Sequence, residues 1–297
     1  MARLLVVIGP TGVGKTAHAI LLAKQHQCPI ISADSRQIYR DLPIGTAAPT
    51  LQEQQEVQHY MVGFKELHEN YNAGQFAQEA ETLLQQLFQQ YENVVLVGGS
   101  MMYVDALCKG LDDIPHVPDE IRSSVRQAYQ EYGIQWLQNE VQRLDPDYWQ
   151  EVDQHNPQRL MHCIEICRVS GKAYSTFRQK KSSNKTIKKN YEITYVLVER
   201  ERQELYHRIN QRVDNMIAAG LLQEAQRAFK QLQIPLQGPI DYSALPNSIN
   251  TVGYKELLHY FRGEWTLDKA VQMIKQNTRH YAKRQITWWR KLKMDSL

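Results

Sequence analysis

Three short apolar runs, Leu4 to Ile8, Cys28 to Ala33 and Val94 to Val97, each end in glycine or small polar residues. Stretches of helical period lie between them, first Thr16 to His26 and then the glutamine-rich Gly74 to Tyr91, read as a surface helix leading back to the sheet. Short buried strands alternating with helices predict an α/β core with a parallel sheet flanked by helices and ligand loops at its carboxyl edge.

From Leu111 the pattern changes, and helices follow one another without strands. Pro118 and Asp119 open one that Gly133 is expected to close, and Asn156-Pro157 is a cap and first-turn pair for another that Gly171 ends. Glu192 to Val198 then alternates as one more strand. A strand after a purely helical stretch predicts an inserted all-α domain over 112–190, inside a core made of 1–111 and 191–297. The rest reads as helical: Arg202 to Ala219 with Gly220 as its cap, a short second helix, a Pro/Gly-rich loop from Pro235 to Pro246, and a long basic helix starting at Asp268.

The chain has 297 residues, 42% hydrophobic and 23% charged, the balance of a soluble globular protein. No apolar run approaches the ~18 to 20 residues that span a bilayer, and the start shows no signal-peptide pattern. A cytoplasmic protein with no membrane contact is expected. Cys163 and Cys167 stand four apart in a helical pattern, read as an apolar stripe in preference to a metal pair, so neither zinc nor a disulfide framework is expected. Net charge is only +3 but unevenly spread: Arg178 to Lys189 has six basic residues and no acid, and Lys275 to Leu297 has seven against one acid, with Tyr281, Trp288 and Trp289 interleaved. Either run alone reads as a solvated face; two with aromatics point to a polyanion. Lys275, Arg279 and Lys283 recur every four residues, which predicts one helix side able to track a phosphate backbone.

The chemistry starts at Gly9-Pro10-Thr11-Gly12-Val13-Gly14-Lys15-Thr16, directly after the first apolar run. Its glycines let several backbone N–H groups point at one anion, Lys15 adds a charge, and Thr16 can offer its hydroxyl to Mg²⁺. ATP, GTP or another diphosphate ester would suit this loop equally. Asp34, in Ser32-Ala33-Asp34-Ser35-Arg36-Gln37, ends the second strand, where it either faces the ligand crevice or caps the next turn. Val97-Gly98-Gly99-Ser100 ends the third run without the acid an ATPase usually places there for Mg²⁺.

Taken with Ile44-Gly45-Thr46-Ala47, Pro157-Gln158-Arg159-Leu160, Arg208 to Arg212, Val252-Gly253-Tyr254-Lys255 and Thr278 to Trp288, these motifs resemble the tRNA dimethylallyltransferase (isopentenyl-tRNA transferase) family, in the family's order over nearly the whole chain. The resemblance implies transfer of a dimethylallyl group from dimethylallyl diphosphate to N6 of the adenosine immediately 3′ of the anticodon, in tRNAs reading UNN codons. Pyrophosphate is released and Mg²⁺ assists. It implies Asp34 as general base, Ser100 near the reacting centre, and Gly9 to Thr16 with Arg212 on the diphosphate. Ser35, Arg36, Gln37, Arg122, Gln158, Arg159, Leu160, Met161, His162, Asn250, Thr251, Val252, Gly253, Tyr254, Lys255, Thr278, Arg279, His280, Tyr281, Ala282, Lys283, Arg284 and Gln285, with Asp34 and Ser100, match the segments that contact the tRNA anticodon stem-loop.

The sequence departs from that pattern in places. Ser100 stands where the family usually has Thr, His162 where Arg is frequent, and Gly63 where Asp is frequent. The chain stops soon after the basic helix, without the zinc-finger extension of eukaryotic relatives, so a bacterial-type enzyme is expected; the pattern is compatible with a monomer. An isopentenyltransferase acting on free adenine nucleotides, a P-loop small-molecule kinase and a non-enzymatic RNA-binding module remain as alternatives.

Overall fold

The computed structural model describes residues 1–111, 114–178, 189–242 and 245–295, the last five without their side chains. The chain divides into two compact units, one of Met1–Cys108 with Lys188–Leu297 and one of Lys109–Ile187. In the first, β1 (Arg3–Ile8), α1 (Lys15–Gln25), β2 (Ile30–Ser32), α2 (Leu51–Glu56), β3 (His59–Tyr60), α3 (Ala73–Leu87), β4 (Asn93–Val97) and α4 (Met101–Lys109) come first. The chain returns to it as β5 (Glu192–Leu197).

All strand pairs are parallel, in the order β3-β2-β4-β1-β5. Alternation sends Leu4, Val6 and Ile8 into one apolar layer and Leu5 and Val7 into the other. The first layer is closed by Phe76, Ala80 and Leu84 of α3 and Val104 and Leu107 of α4, the second by Ala19, Ile20 and Ala23 of α1. A sheet buried on both faces accounts for strands that read as continuous apolar runs. β3 has no counterpart in the sequence pattern, because two residues are too short to show a period. β5 pairs with β1 from Arg3↔Glu192 to Ile8↔Leu197, so the segment after the insertion completes the sheet.

The second unit packs α5 (Asp119–Leu144), α6 (Pro146–Glu151) and α7 (Pro157–Ser170) around Val125, Leu137, Val141, Leu160, Cys163, Ile164 and Cys167. The helix expected to close at Gly133 resumes at once. Gly133, at φ 71° and ψ −169°, is a kink between two helical stretches. Asn156 caps α7 by accepting from the Arg159 N–H, and Gly171 ends it in the left-handed conformation. Cys163 and Cys167 are buried and unbridged; with Asp145 they lie close enough to hold an ion. The Asp145 carboxylate already accepts from Tyr148 N, Ser175 N and Ser175 Oγ, which makes it a cap joining α6 to the Tyr174–Thr176 turn that follows α7. The basic run from Arg178 to Lys189 lies almost entirely outside the described residues.

The remaining helices of the first unit are α8 (Arg202–Ala218), α9 (Leu221–Gln231), α10 (Tyr254–Phe261) and α11 (Leu267–Asp295). α8 ends at Ala218 with Ala219 as its cap, and Gly220, at φ 101°, caps the start of α9. Among the described residues no helix is long and apolar enough to cross a membrane.

Candidate active site

The glycine-rich loop leaves β1 and turns into α1 at Gly14, which has φ 107°, a backbone state that a side chain would strain. α8 and α11 hold this loop from the far side. Val13 is fully buried with Leu205, Ile209 and Ala282, Arg208 Nε donates to the Gly12 carbonyl at 3.0 Å, and Arg200 Nε to the Val13 carbonyl at 3.3 Å. One turn on, Arg212 donates to Thr11 Oγ1 at 3.1 Å. The four-residue spacing of Arg208 and Arg212 puts both on the face of α8 that meets the loop.

Gln285, on α11 and fully buried, joins the two glycine-bearing loops: its Oε1 accepts from Thr11 N at 2.8 Å and its Nε2 donates to the Gly99 carbonyl at 2.7 Å. Tyr281, one turn earlier, donates to the same carbonyl at 3.2 Å. β4 meets β2 so closely at Gly98 that a Cβ there would stand 2.0 Å from the Ala33 carbonyl oxygen. Only glycine brings the two strand ends, and so Asp34, beside the phosphate loop.

These contacts enclose a cavity of about 170 Å³ whose wall includes Thr11, Lys15, Thr16, Asp34, Arg208 and Arg212. A second cavity, of about 270 Å³, shares Thr11, Asp34, Thr46, Arg212 and Tyr281 with the first. It opens among Ser35, Arg36, Asn250 to Gly253, Thr278 and Arg284. Asp34 therefore faces the crevice and also makes the local turn, its Oδ1 accepting from Arg36 N at 2.9 Å.

Electrostatics mark the smaller cavity as a place for an anion. The Lys15 ammonium, in the cavity wall and resting on the Pro10 carbonyl at 2.9 Å, is pushed down to about 8 by loss of hydration, with Asp34 opposing the shift and Arg212 adding to it. Arg212 is lowered for the same reason, again against Asp34. Lys15 and Arg212 thus both act on the Asp34 carboxylate, and Arg208 adds a third cation to the cavity wall. The hydroxyls of Thr16 and Ser32 and the Asp34 carboxylate offer hard oxygen donors of the kind magnesium takes.

The residues matched to RNA fall in different settings. Ser35, Arg36, Asn250, Thr251, Val252, Gly253, Thr278, Tyr281 and Arg284 line the larger cavity. Leu160, Tyr254, Ala282 and Gln285 are fully buried, so their side chains hold the structure and present nothing to a nucleic acid. Tyr254 donates to Glu224 at 2.6 Å. Gln37 donates to the Ala47 carbonyl at 2.9 Å, and Lys255 is half-buried. On the helical unit Arg122, Gln158, Arg159 and His162 are exposed and Met161 half-buried; the His162 ring packs edge-on to Tyr174.

Two expectations need correction. The spacing of Lys275, Arg279 and Lys283 predicts one face free to track phosphates, but Lys275 pairs with Asp214 and Arg279 donates to Asn210, both at 2.6 Å, because that face packs on α8. The exposed cations at this level are Lys283 and Arg284, next to the exposed His280. Ser100 is 6% exposed and outside both cavity walls; its Oγ accepts from Ser35 N at 2.7 Å and donates to Ser35 Oγ at 3.0 Å, so it fixes the residue after Asp34.

Sequence reasoning assigns no role to Arg208, Thr46, Ser32, His59 or Glu224. The Arg208/Arg212 spacing is a usable signal. Nothing local marks Glu224, which accepts from Ile44 N and Gly45 N, both at 2.8 Å, across 180 and 179 residues of chain.

The parallel sheet, the glycine-rich loop after β1 and the crevice at the strand ends define the class of α/β proteins with a phosphate-type loop. The sequence model described as IPP transferase matches residues 37–292, and the chain belongs to that family. The tRNA dimethylallyltransferase 2 of Parabacteroides distasonis is 46% identical over 291 residues, covering 98% of this chain and 92% of its own length. The crystal structure of the tRNA isopentenylpyrophosphate transferase of Bacillus halodurans is similar with a TM-score of 0.66 and 30% identity, over 98% of this chain and 87% of that one. A eukaryotic dimethylallyltransferase captured acting on tRNA has the same fold, with a TM-score of 0.78 at 24% identity, over 97% of this chain and 70% of its own.

Proposed function

We propose that this enzyme transfers a dimethylallyl group from dimethylallyl diphosphate to N6 of the adenosine immediately 3′ of the anticodon in tRNAs reading UNN codons, releasing pyrophosphate. One observation carries the reading: Asp34 stands in the wall shared by a cationic cavity built on the glycine-rich loop and a second cavity lined by Ser35, Arg36 and Asn250 to Gly253. The donor's diphosphate occupies the first and the target base, turned out of its stack, the second.

The N6 lone pair attacks C1 of the dimethylallyl group as the C1–O bond breaks, and the N6 proton passes to the Asp34 carboxylate. An exocyclic amine is a weak nucleophile, so a base at this point matters. Lys15, Arg208, Arg212 and the loop N–H groups meet the charge that grows on the leaving pyrophosphate. Magnesium, held with Thr16, would supply further neutralisation of that charge. Ser100 keeps the Asp34–Ser35 turn in register, and the Thr11–Gln285–Gly99 bridge keeps both cavity walls together.

The helical unit, through Arg122, Gln158, Arg159, Met161 and His162, and Lys283 and Arg284 on α11 are proposed to hold the anticodon stem-loop. The enzyme is read as a cytoplasmic monomer. The test is mass spectrometry of nucleosides after incubating an unmodified anticodon stem-loop with dimethylallyl diphosphate and Mg²⁺, with AMP in a parallel reaction. Prenylated adenosine from the RNA alone is expected; product from AMP alone would move the enzyme to the free-nucleotide class.

A further inference from the structure

His59 opens β3 and stands in the wall of the smaller cavity with Lys15, Thr16, Ser32 and Asp34. It is only 8% exposed. Its Nδ1 lies 2.7 Å from the Val57 carbonyl oxygen, which can only accept, so Nδ1 carries the hydrogen. The other ring nitrogen, Nε2, is buried and has no hydrogen-bond partner. Buried polar atoms are nearly always paired, and one left over in the wall of a binding cavity points to a group that the cavity receives. As the neutral imidazole with hydrogen on Nδ1, His59 offers a lone pair at Nε2 and needs a donor. The proposed reaction brings few donors here: diphosphate oxygens carry lone pairs and the prenyl tail is apolar, whereas water bound to magnesium is a strong donor. Magnesium usually keeps several of its waters when it is bound through few protein ligands and substrate phosphates.

We infer that His59 Nε2 accepts a hydrogen bond from a water of the hydrated magnesium diphosphate, positioning the metal against Thr16 from the β3 side of the cavity. This rests on the reading of the cavity as a magnesium diphosphate site. The polar groups facing this wall, Ser32 donating to Gln37 Oε1 and Gln37 donating to the Thr46 and Ala47 carbonyls, are satisfied among themselves and leave that water to the histidine.

Two substitutions separate the ring's two nitrogens. His59→Asn places an amide where Nδ1 was, keeping the Val57 contact and emptying the cavity side; His59→Gln reaches to the Nε2 position. The readout is Mn²⁺ binding, followed by electron paramagnetic resonance, to enzyme saturated with inorganic pyrophosphate, beside pyrophosphate binding in EDTA. His59→Asn is expected to weaken Mn²⁺ binding about tenfold, the lower end of the effect of removing an outer-shell partner. His59→Gln should stay within about threefold of wild type, and metal-free pyrophosphate binding should be unchanged in both. Wild-type Mn²⁺ affinity in His59→Asn would overturn the inference, and so would an equal weakening of metal-free pyrophosphate binding, which would mean a contact to phosphate or to the fold. If wild-type enzyme binds Mn²⁺ and pyrophosphate with this dependence yet prenylates no RNA, the reaction assignment fails and the histidine's role stands. If it binds no pyrophosphate, both fail.

Discussion

Asp34 and Lys15 sit on the same cavity wall with opposite demands. In the proposed reaction Asp34 must be ionised to take a proton, and Lys15 must be charged to hold the diphosphate. Asp34→Asn keeps the size and the hydrogen bond from Arg36 N but removes the proton acceptor. Turnover should fall by about 10² to 10⁴-fold with RNA affinity unchanged; single-turnover rates within about threefold of wild type would remove Asp34 from the mechanism. Lys15 yields a pH prediction. In the free enzyme it titrates at about 8, because burial disfavours its charge. A bound anion favours that charge and raises the value, so binding takes up a proton wherever free Lys15 is neutral, which is above about 8. Pyrophosphate affinity should therefore be level below that pH and fall above it by up to about tenfold per unit. Calorimetry in buffers of different ionisation enthalpy would show the proton uptake, and a level affinity up to about pH 9 would contradict it. At this scale the sequence displays the smaller cavity's wall well, since Lys15, Thr16 and Asp34 belong to contiguous motifs. Ser100 reads as a reacting-centre residue because its motif ends at the right strand edge. Its hydroxyl is engaged by Ser35, a contact between loops 65 residues apart.

At the level of elements, α8 and α11 together hold the phosphate loop, and Gly45, Thr46 and Ala47 form a roof of the two cavities that Asp34 lines. Glu224 on α9 clamps that roof, accepting from Ile44 N, Gly45 N and the Tyr254 hydroxyl while 1% exposed. Glu224→Ala would leave three buried donors unsatisfied. The expected cost is about 2 to 4 kcal/mol, read as a lower urea midpoint, with Glu224→Gln intermediate. α11 carries a second prediction. With Lys275 and Arg279 engaged on α8, RNA binding should respond to Lys283 and Arg284. Neutralising those two should flatten the salt dependence of stem-loop binding by roughly 0.7 to 0.9 log units for each phosphate left without its cation, with pyrophosphate affinity constant. An unchanged slope would make this end of the helix a solvated face. Charge spacing shows that these cations share a helix side; which of them are taken up by a neighbouring helix depends on Asp214 and Asn210, which belong to another part of the chain.

For the whole molecule, the sheet is assembled from both sides of the helical unit, since β5 pairs with β1 along six residues. Replacing Lys109–Ile187 by a short flexible linker should leave pyrophosphate binding intact, because every residue of that cavity belongs to the other unit. The same deletion should lower stem-loop affinity by at least about tenfold, the size of one or two charge-assisted hydrogen bonds. Filter binding beside pyrophosphate calorimetry would check both halves, and full RNA affinity in the deletion would free the helical unit of any role in recognition. The sequence by itself determined the alternation of strands and helices, the helical stretch from Leu111 onward, the capping of α7 and the phosphate loop, because these depend on period, turn chemistry and neighbours a few residues away. Only the tertiary structure decided that Gln285 bridges two loops, that Glu224 clamps a third, that Arg212 lies against Thr11, and that Tyr254 and Ala282 are core. Each of those depends on two segments separated by up to nearly the full chain meeting at one sheet edge, and no local pattern encodes such a meeting.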